Sequence, residues 1–324
     1  MSDRCLVVQP IHPDGVARLQ AAGIDVALAS APDMATIARE IVGATAAITR
    51  NAGLDRRAID AAPRLRVIGN HGVGLDPVDV ARATELGVCV VSTPGASTQS
   101  VAELAVALAL AVAKQLPSAQ RATRAGDFGF KYHSAIRELH DKVVGIVGFG
   151  RIGRRAAEIF AAGFQMHPLV YAPSASGAAI AAVGGRRAHA LRDVLERSDV
   201  VTLHVPLRDE TRHLLGAAEL ARCKPGAILV NTARGGVVDE QALVDALRSG
   251  RLAGAGLDVY ATESMPSDHP LFALDNVVLT PHVGGSSLEA ARRTALQVAD
   301  QVIDVLAGRR PAHLVVPEVW GRRR

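Results

Sequence analysis

Short Val- and Ile-rich runs alternate with stretches of helical period along most of this chain, and that alternation is the pattern of a parallel sheet with crossover helices. CLVVQ is followed by VARLQAAG, VALA by MATIAREIVG, AAIT by LDRRAIDAA and RVIG by VDVARATELG, before the run ends at VCVV. A second series begins at VVGIVG (143–148) and continues through LVY (169–171), VVTLHV (200–205), AILVNTA (227–233), AGLDV (255–259) and VVLT (277–280). A long helical pattern, LEAARRTALQVADQVIDVLAG, comes last. The expectation is α/β, with two doubly wound parallel-sheet domains. Residues 1–98 plus 287–324 form one and residues 99–286 the other. At 324 residues the chain has room for two domains of about 150 residues each.

Only 3% of residues are aromatic against 49% hydrophobic, so the cores must be built from Ala, Val, Leu and Ile. The net charge of +4 owes much to Arg322, Arg323 and Arg324, and no basic stripe interleaved with aromatics occurs, which argues against nucleic acid as a partner. Cys5, Cys89 and Cys223 are odd in number and far apart, which suits a reducing compartment. The start, MSDRCLVVQP, lacks the pattern of an export signal, so a cytoplasmic location is expected. The apolar segment 101–116 contains Glu103 and Lys114 and is shorter than the roughly 20 residues of a membrane span. It reads as a buried helix rather than a membrane partner.

In VVGIVGFGRIGRRAAEIF the glycines Gly148, Gly150 and Gly153 follow an apolar run and open a segment that sets Ile152, Ala156, Ile159 and Phe160 on one helical face. Between strand and helix this spacing marks a dinucleotide site. Gly148 permits the tight turn, Gly150 lets backbone approach a pyrophosphate, and Gly153 lets helix pack on strand, with the diphosphate on the helix N-terminus. Arg151 stands on the loop to flank phosphates or adenine. The next strand usually ends in an acid that holds the adenosine ribose. Here that position is Ala172, followed by Pro173, Ser174 and Ser176. The barrier to a 2′-phosphate is absent, so NADP is favoured slightly over NAD, although no arginine follows Ala172 directly.

The sequence resembles the D-isomer specific 2-hydroxyacid dehydrogenases over nearly its whole length. NHGVGLDPVDV (70–80), STPGASTQSVAELAVAL (92–108), GIVGFGRIGRR, LHVPLRDETRHLLG (203–216), VNTARGGVVDE (230–240), GAGLDVYATE (254–263) and TPHVGGSS (280–287) carry the resemblance. It implies a flavodoxin-like substrate domain, a Rossmann dinucleotide-binding domain and an active site in the cleft between them. It also implies hydride transfer between a nicotinamide dinucleotide and a small D-2-hydroxy acid or 2-oxo acid. Arg234 would orient the substrate carboxylate, His282 would be the acid/base and Glu263 its partner. Backbone amides of Val73 and Gly74, and Arg50, would contact substrate. Val205, Pro206, Thr211, Thr232, Ala233, Asp258, His282 and Gly284 would join the glycine loop, Ile152, Ala172 and Ser174 around the cofactor.

The chemistry agrees with these residue types. An imidazole that titrates near neutrality serves both directions of proton transfer, and a neighbouring carboxylate favours its charged form. A guanidinium offers a planar fork to a carboxylate. Family members usually place proline after the glutamate; here Ser264 follows, and the loop runs on through MPSDHPL, which makes Asp268 the alternative acid. His204 is either structural or lines the cofactor cleft, and His71 is either substrate-facing or exposed. No HExxH spacing supports metal catalysis. Asn70, where phosphoglycerate enzymes of the family tend to place arginine, disfavours a phosphorylated substrate. The helix at 101–116 is apolar on nearly every face, as expected of a homodimer interface. A non-enzymatic dinucleotide sensor of the corepressor type is the alternative function.

Overall fold

Small and β-branched residues make strands that are buried on both faces, and the first of them, β1 (Arg4–Val7), shows the rule with Cys5, Leu6 and Val7 all inaccessible. The computed structural model describes residues 2–324 and divides into two units: the chain up to Ser97 with Gly285–Arg324, and Thr98–Gly284. In the first unit β1 is followed by α1 (Pro13–Ala21), β2 (Asp25–Leu28), α2 (Met34–Glu40), β3 (Ala46–Thr49), α3 (Arg56–Asp60), β4 (Val67–Asn70), α4 (Val80–Glu85) and β5 (Cys89–Val91). The sheet is parallel throughout in the order β2-β1-β3-β4-β5, the flavodoxin-like arrangement. Asp33, Asp55 and Asp79 each cap the following helix by accepting from the amide three residues on, which fixes where α2, α3 and α4 begin.

The second unit runs through α5 (Thr98–Ala113), α6 (Leu116–Arg124), α7 (Phe130–His133), β6 (Val143–Val147), α8 (Arg151–Phe164), β7 (His167–Tyr171), α9 (Gly177–Ala181), β8 (Arg186–Arg187), α10 (Leu191–Arg197), β9 (Val200–Leu203), α11 (Ala217–Arg222), β10 (Ala227–Asn231), α12 (Glu240–Arg248), β11 (Leu252–Leu257) and β12 (Val277–Leu279). Its seven parallel strands lie in the order β12-β11-β10-β9-β6-β7-β8, a Rossmann sheet whose direction of winding reverses between β6 and β9. Asp239 caps α12 through the Ala242 amide, and Gly250 takes the left-handed conformation that stops it. The last helix, α13 (Leu288–Leu306), belongs to the first unit, where it packs along α1 and β4.

Two local features differ from the expectations. The helix expected over 101–116 spans Thr98–Ala113, because Gln115 adopts a left-handed φ of 49° and Pro117 opens α6. Half of α5 is buried, with Val101, Ala105, Leu108 and Val112 packed toward β10, β11 and α8. The edge strand β8 has no counterpart in the sequence pattern, since two residues carry no period. Among the described residues no single helix is long and apolar enough to cross a membrane.

Candidate active site

Every candidate residue of the second unit except Arg151, Ile152 and Gly153, which lie in the first turn of α8, sits at or beyond the C-terminal end of a strand. Gly148 and Gly150 follow β6; Ala172 and Ser174 follow β7; Val205, Pro206 and Thr211 follow β9. Thr232, Ala233 and Arg234 follow β10; Asp258 and Glu263 follow β11; His282 and Gly284 follow β12. Ligands of open parallel sheets bind at this edge, next to the point where winding reverses.

The glycine loop has the form that a diphosphate requires. Gly148 has a φ of 92°, its amide donates to the Tyr171 carbonyl at 2.9 Å, and a Cβ there would come within 2.6 Å of the His204 carbonyl oxygen. A Cβ on Gly153 would overlap the Gly148 carbonyl. Gly150 is different: its backbone is extended, and a Cβ would meet nothing within 4 Å. The fold itself therefore has no need of glycine at 150, whereas a ligand lying on the amides of α8 does. No side chain caps that helix. The hydroxyl of Thr232 is buried without a hydrogen-bond partner, a polar group that a bound dinucleotide would satisfy. Thr211 holds the 206–211 turn through bonds to the Pro206 carbonyl and from the Arg208 amide. His204 bonds Thr202 at 3.0 Å, and burial pushes its pKa down to about 4, so it is a neutral element of the cradle wall.

A buried carboxylate shapes the loop that carries His282. Asp258, 1% exposed, accepts from the Thr280 hydroxyl at 2.6 Å and from the amides of Val283 and Gly284 at 2.8 Å each. The His282 amide donates to the Asp258 carbonyl, and His282 itself has a φ of 52°, a left-handed conformation unusual for a residue with a Cβ. Held this way, Nδ1 of His282 donates to Oε1 of Glu263. Glu263 rather than Asp268 is the carboxylate on the ring; Asp268 lies exposed further along the loop. Arg234 is positioned from the adjacent strand end. Buried Asn231 accepts from the Ala233 amide at 3.0 Å and donates to the Arg234 carbonyl at 2.9 Å, while Nη1 of Arg234 donates to the Ala233 carbonyl.

Two contributors, Tyr260 and Glu240, were not singled out in the sequence although they lie in the segments 254–263 and 230–240 quoted above. The Tyr260 phenol donates to the carbonyls of Thr280 and Leu257, and burial followed by the Asp258 charge pushes its pKa up to about 12, so it stays a donor. Glu240 accepts from the Ala261 amide through one oxygen and from Nε2 of His269 through the other, both at 3.0 Å. It thus holds both ends of the loop that carries Glu263.

In the first unit Arg50 follows β3, and Val73 and Gly74 follow the neighbouring β4. Nη1 of Arg50 donates to the Pro10 carbonyl at 2.9 Å. Asn70, 2% exposed, donates to the Gly74 carbonyl at 2.9 Å, and Thr93 holds the Gly72 carbonyl, so the 70–74 loop is fixed while Val73 remains half exposed. His71 is mostly buried rather than exposed. Burial and then the Arg50 charge push its pKa down to about 4, and its Nε2 is buried without a hydrogen-bond partner.

A dinucleotide cradle beside an imidazole–carboxylate pair defines the second unit as a dinucleotide-binding α/β domain. The family model for the D-isomer specific 2-hydroxyacid dehydrogenase, NAD binding domain, matches residues 106–284. The chain is 42% identical over 269 residues to a glyoxylate reductase of Korarchaeum cryptofilum, covering 82% of this chain and 80% of that protein. It is 39% identical over 306 residues to a D-3-phosphoglycerate dehydrogenase of Methanocaldococcus jannaschii, covering 94% of this chain and 58% of that one. A crystal structure of a protein from Thermus thermophilus superposes with a TM-score of 0.88 at 36% identity, over 97% of this chain and 100% of that one. The chain belongs to the D-isomer specific 2-hydroxyacid dehydrogenase family. It spans 58% of the length of the archaeal phosphoglycerate dehydrogenases it matches.

Proposed function

We propose that the protein reduces small, unphosphorylated 2-oxo acids such as glyoxylate or hydroxypyruvate to D-2-hydroxy acids, with NADPH preferred over NADH. The observation that carries this reading is the hydrogen bond from His282 to Glu263 at the same sheet edge as Arg234 and the glycine loop. A bound nicotinamide ring supplies the hydride to C2 of the acid. Arg234 binds the substrate carboxylate with its planar fork and sets the carbonyl toward His282. Protonated His282, held at Nδ1 by Glu263, gives a proton from Nε2 to the C2 oxygen, and the oxidation runs the same path in reverse. Asp258 fixes the loop so that the ring keeps this orientation, and Thr232 completes the cofactor wall with Val205, Pro206 and Ala233. Arg50 and the amides of Val73 and Gly74 bind the substrate.

The unphosphorylated substrate is supported by Asn70, whose amide is already used on the Gly74 carbonyl. The NADPH preference is supported by Ala172, which leaves no carboxylate at the end of β7 to repel a 2′-phosphate. We assign a homodimer as well. Its support shifts from α5 to the segment that follows, where Leu116, Phe128, Tyr132 and Ile136 are 47–76% exposed and α6 buries none of its residues.

The test is turnover of glyoxylate and hydroxypyruvate by three variants. His282→Ala is expected to lose about 100-fold or more in kcat with NADPH binding intact, Glu263→Ala to lose about tenfold, and Asp268→Ala to match the unaltered protein. Full kcat in His282→Ala would overturn the assignment.

A further inference from the structure

We propose that Arg187, on the two-residue edge strand β8, reads the 2′-phosphate of NADPH; the inference rests on the NADPH preference given above and names the residue responsible for it. The Gly148 amide donates to the Tyr171 carbonyl, so the turn after β7 stands beside the glycine loop, where the ribose of a bound dinucleotide is read. That turn is closed by the Ala175 amide on the Ala172 carbonyl, and Ser176 is spent capping α9 through the Ala179 amide. Ala172 is 6% exposed and packs its methyl group into the core, so it offers the ribose nothing.

The missing group arrives from another strand. β8 pairs with β7 in parallel register, Val170 opposite Arg187, so the two side chains leave the same face of the sheet. Nη2 of Arg187 donates to the Ala175 carbonyl, which sets the guanidinium against the turn itself. One of five donor hydrogens is used there, and the remainder of the fork suits a phosphate dianion. The surroundings are free of competing acids in sequence: from Ile159 to Arg192 there is no Asp or Glu, whereas Arg186, Arg187 and Arg192 add positive charge. A guanidinium already held by a carbonyl loses little further freedom when it takes up the phosphate.

The experiment is calorimetric titration of the unaltered protein, Arg187→Gln and Arg187→Lys with 2′,5′-ADP, 5′-AMP, NADPH and NADH. In Arg187→Gln, 2′,5′-ADP and NADPH are expected to bind about 10- to 100-fold more weakly, with 5′-AMP and NADH changed less than about twofold. Arg187→Lys should fall between, and it serves alone if the glutamine variant does not fold. Equal weakening of all four ligands would mean that Arg187 only shapes the turn, and overturns the proposal. Unchanged 2′,5′-ADP binding in the variants, with tight binding by the unaltered protein, overturns it while the NADPH preference stands. Unaltered protein that binds 5′-AMP as tightly as 2′,5′-ADP removes the preference itself and the proposal with it.

Discussion

Glu240 and His269 are joined by a hydrogen bond of 3.0 Å across 29 positions of sequence, and the second oxygen of the same carboxylate holds the Ala261 amide. The first turn of α12 thereby grips the loop on both sides of Glu263. Glu240→Ala is expected to speed amide hydrogen exchange across residues 261–269 and to lower kcat about tenfold, with NADPH affinity unchanged. Exchange mass spectrometry beside steady-state kinetics checks this. Unchanged exchange in the variant would show that the loop is held by other means.

Gly150 and Gly153 separate what the ligand requires from what the fold requires. Gly150→Val places its side chain in open space on extended backbone, so the melting temperature should stay within about 2 °C while the NADPH dissociation constant rises about tenfold or more. Gly153→Ala drives a methyl group into the Gly148 carbonyl, and should cost about 2 kcal/mol of stability in the absence of cofactor. Thermal melts with and without NADPH distinguish the two. A large loss of stability in Gly150→Val would remove the inference that a diphosphate lies there.

Each unit contains one histidine whose pKa is lowered by burial. His71 in the first and His204 in the second have folded pKa values of about 4 against 6.5 for the unperturbed ring. The folded value is the lower one, so their stabilisation is complete above pH 6.5 and is lost as pH falls toward 4. At pH 5 each is expected to have lost about 2 kcal/mol relative to pH 7.5. Urea unfolding at the two pH values measures the loss, and His204→Gln should flatten the dependence in the second unit. Equal stability at both pH values in the unaltered protein would contradict the buried neutral rings.

The succession of strands and helices and the glycine loop were legible because both are written in adjacent residues. Periodicity reports burial directly, and GFGRIG lies between a strand and a helix that the pattern itself reveals. The pieces that escaped are joined only in space. β8 is too short to show a period, and its Arg187 meets Ala175 from 12 residues away. The use of the Asp258 carboxylate on Thr280, Val283 and Gly284 depends on β11 and β12 lying side by side, which no local spacing reveals. The serine at position 264, an oddity against the proline usual in the family, acquires a physical context. Proline stiffens a loop from within by fixing φ, whereas Glu240 restrains this one from outside by its ends. The helix α5 ends at Ala113 rather than at residue 116 because Gln115 turns left-handed, and composition carries no sign of that.

The left-handed backbone of His282 sets a conflict between durability and turnover. That conformation costs a residue with a Cβ on the order of 1 kcal/mol, and glycine or asparagine would relieve it. Neither could carry the proton that the proposed function assigns to His282. A collection of random variants ranked only by survival of heat would therefore favour chains that have discarded this histidine, and the hardiest of them would be inert.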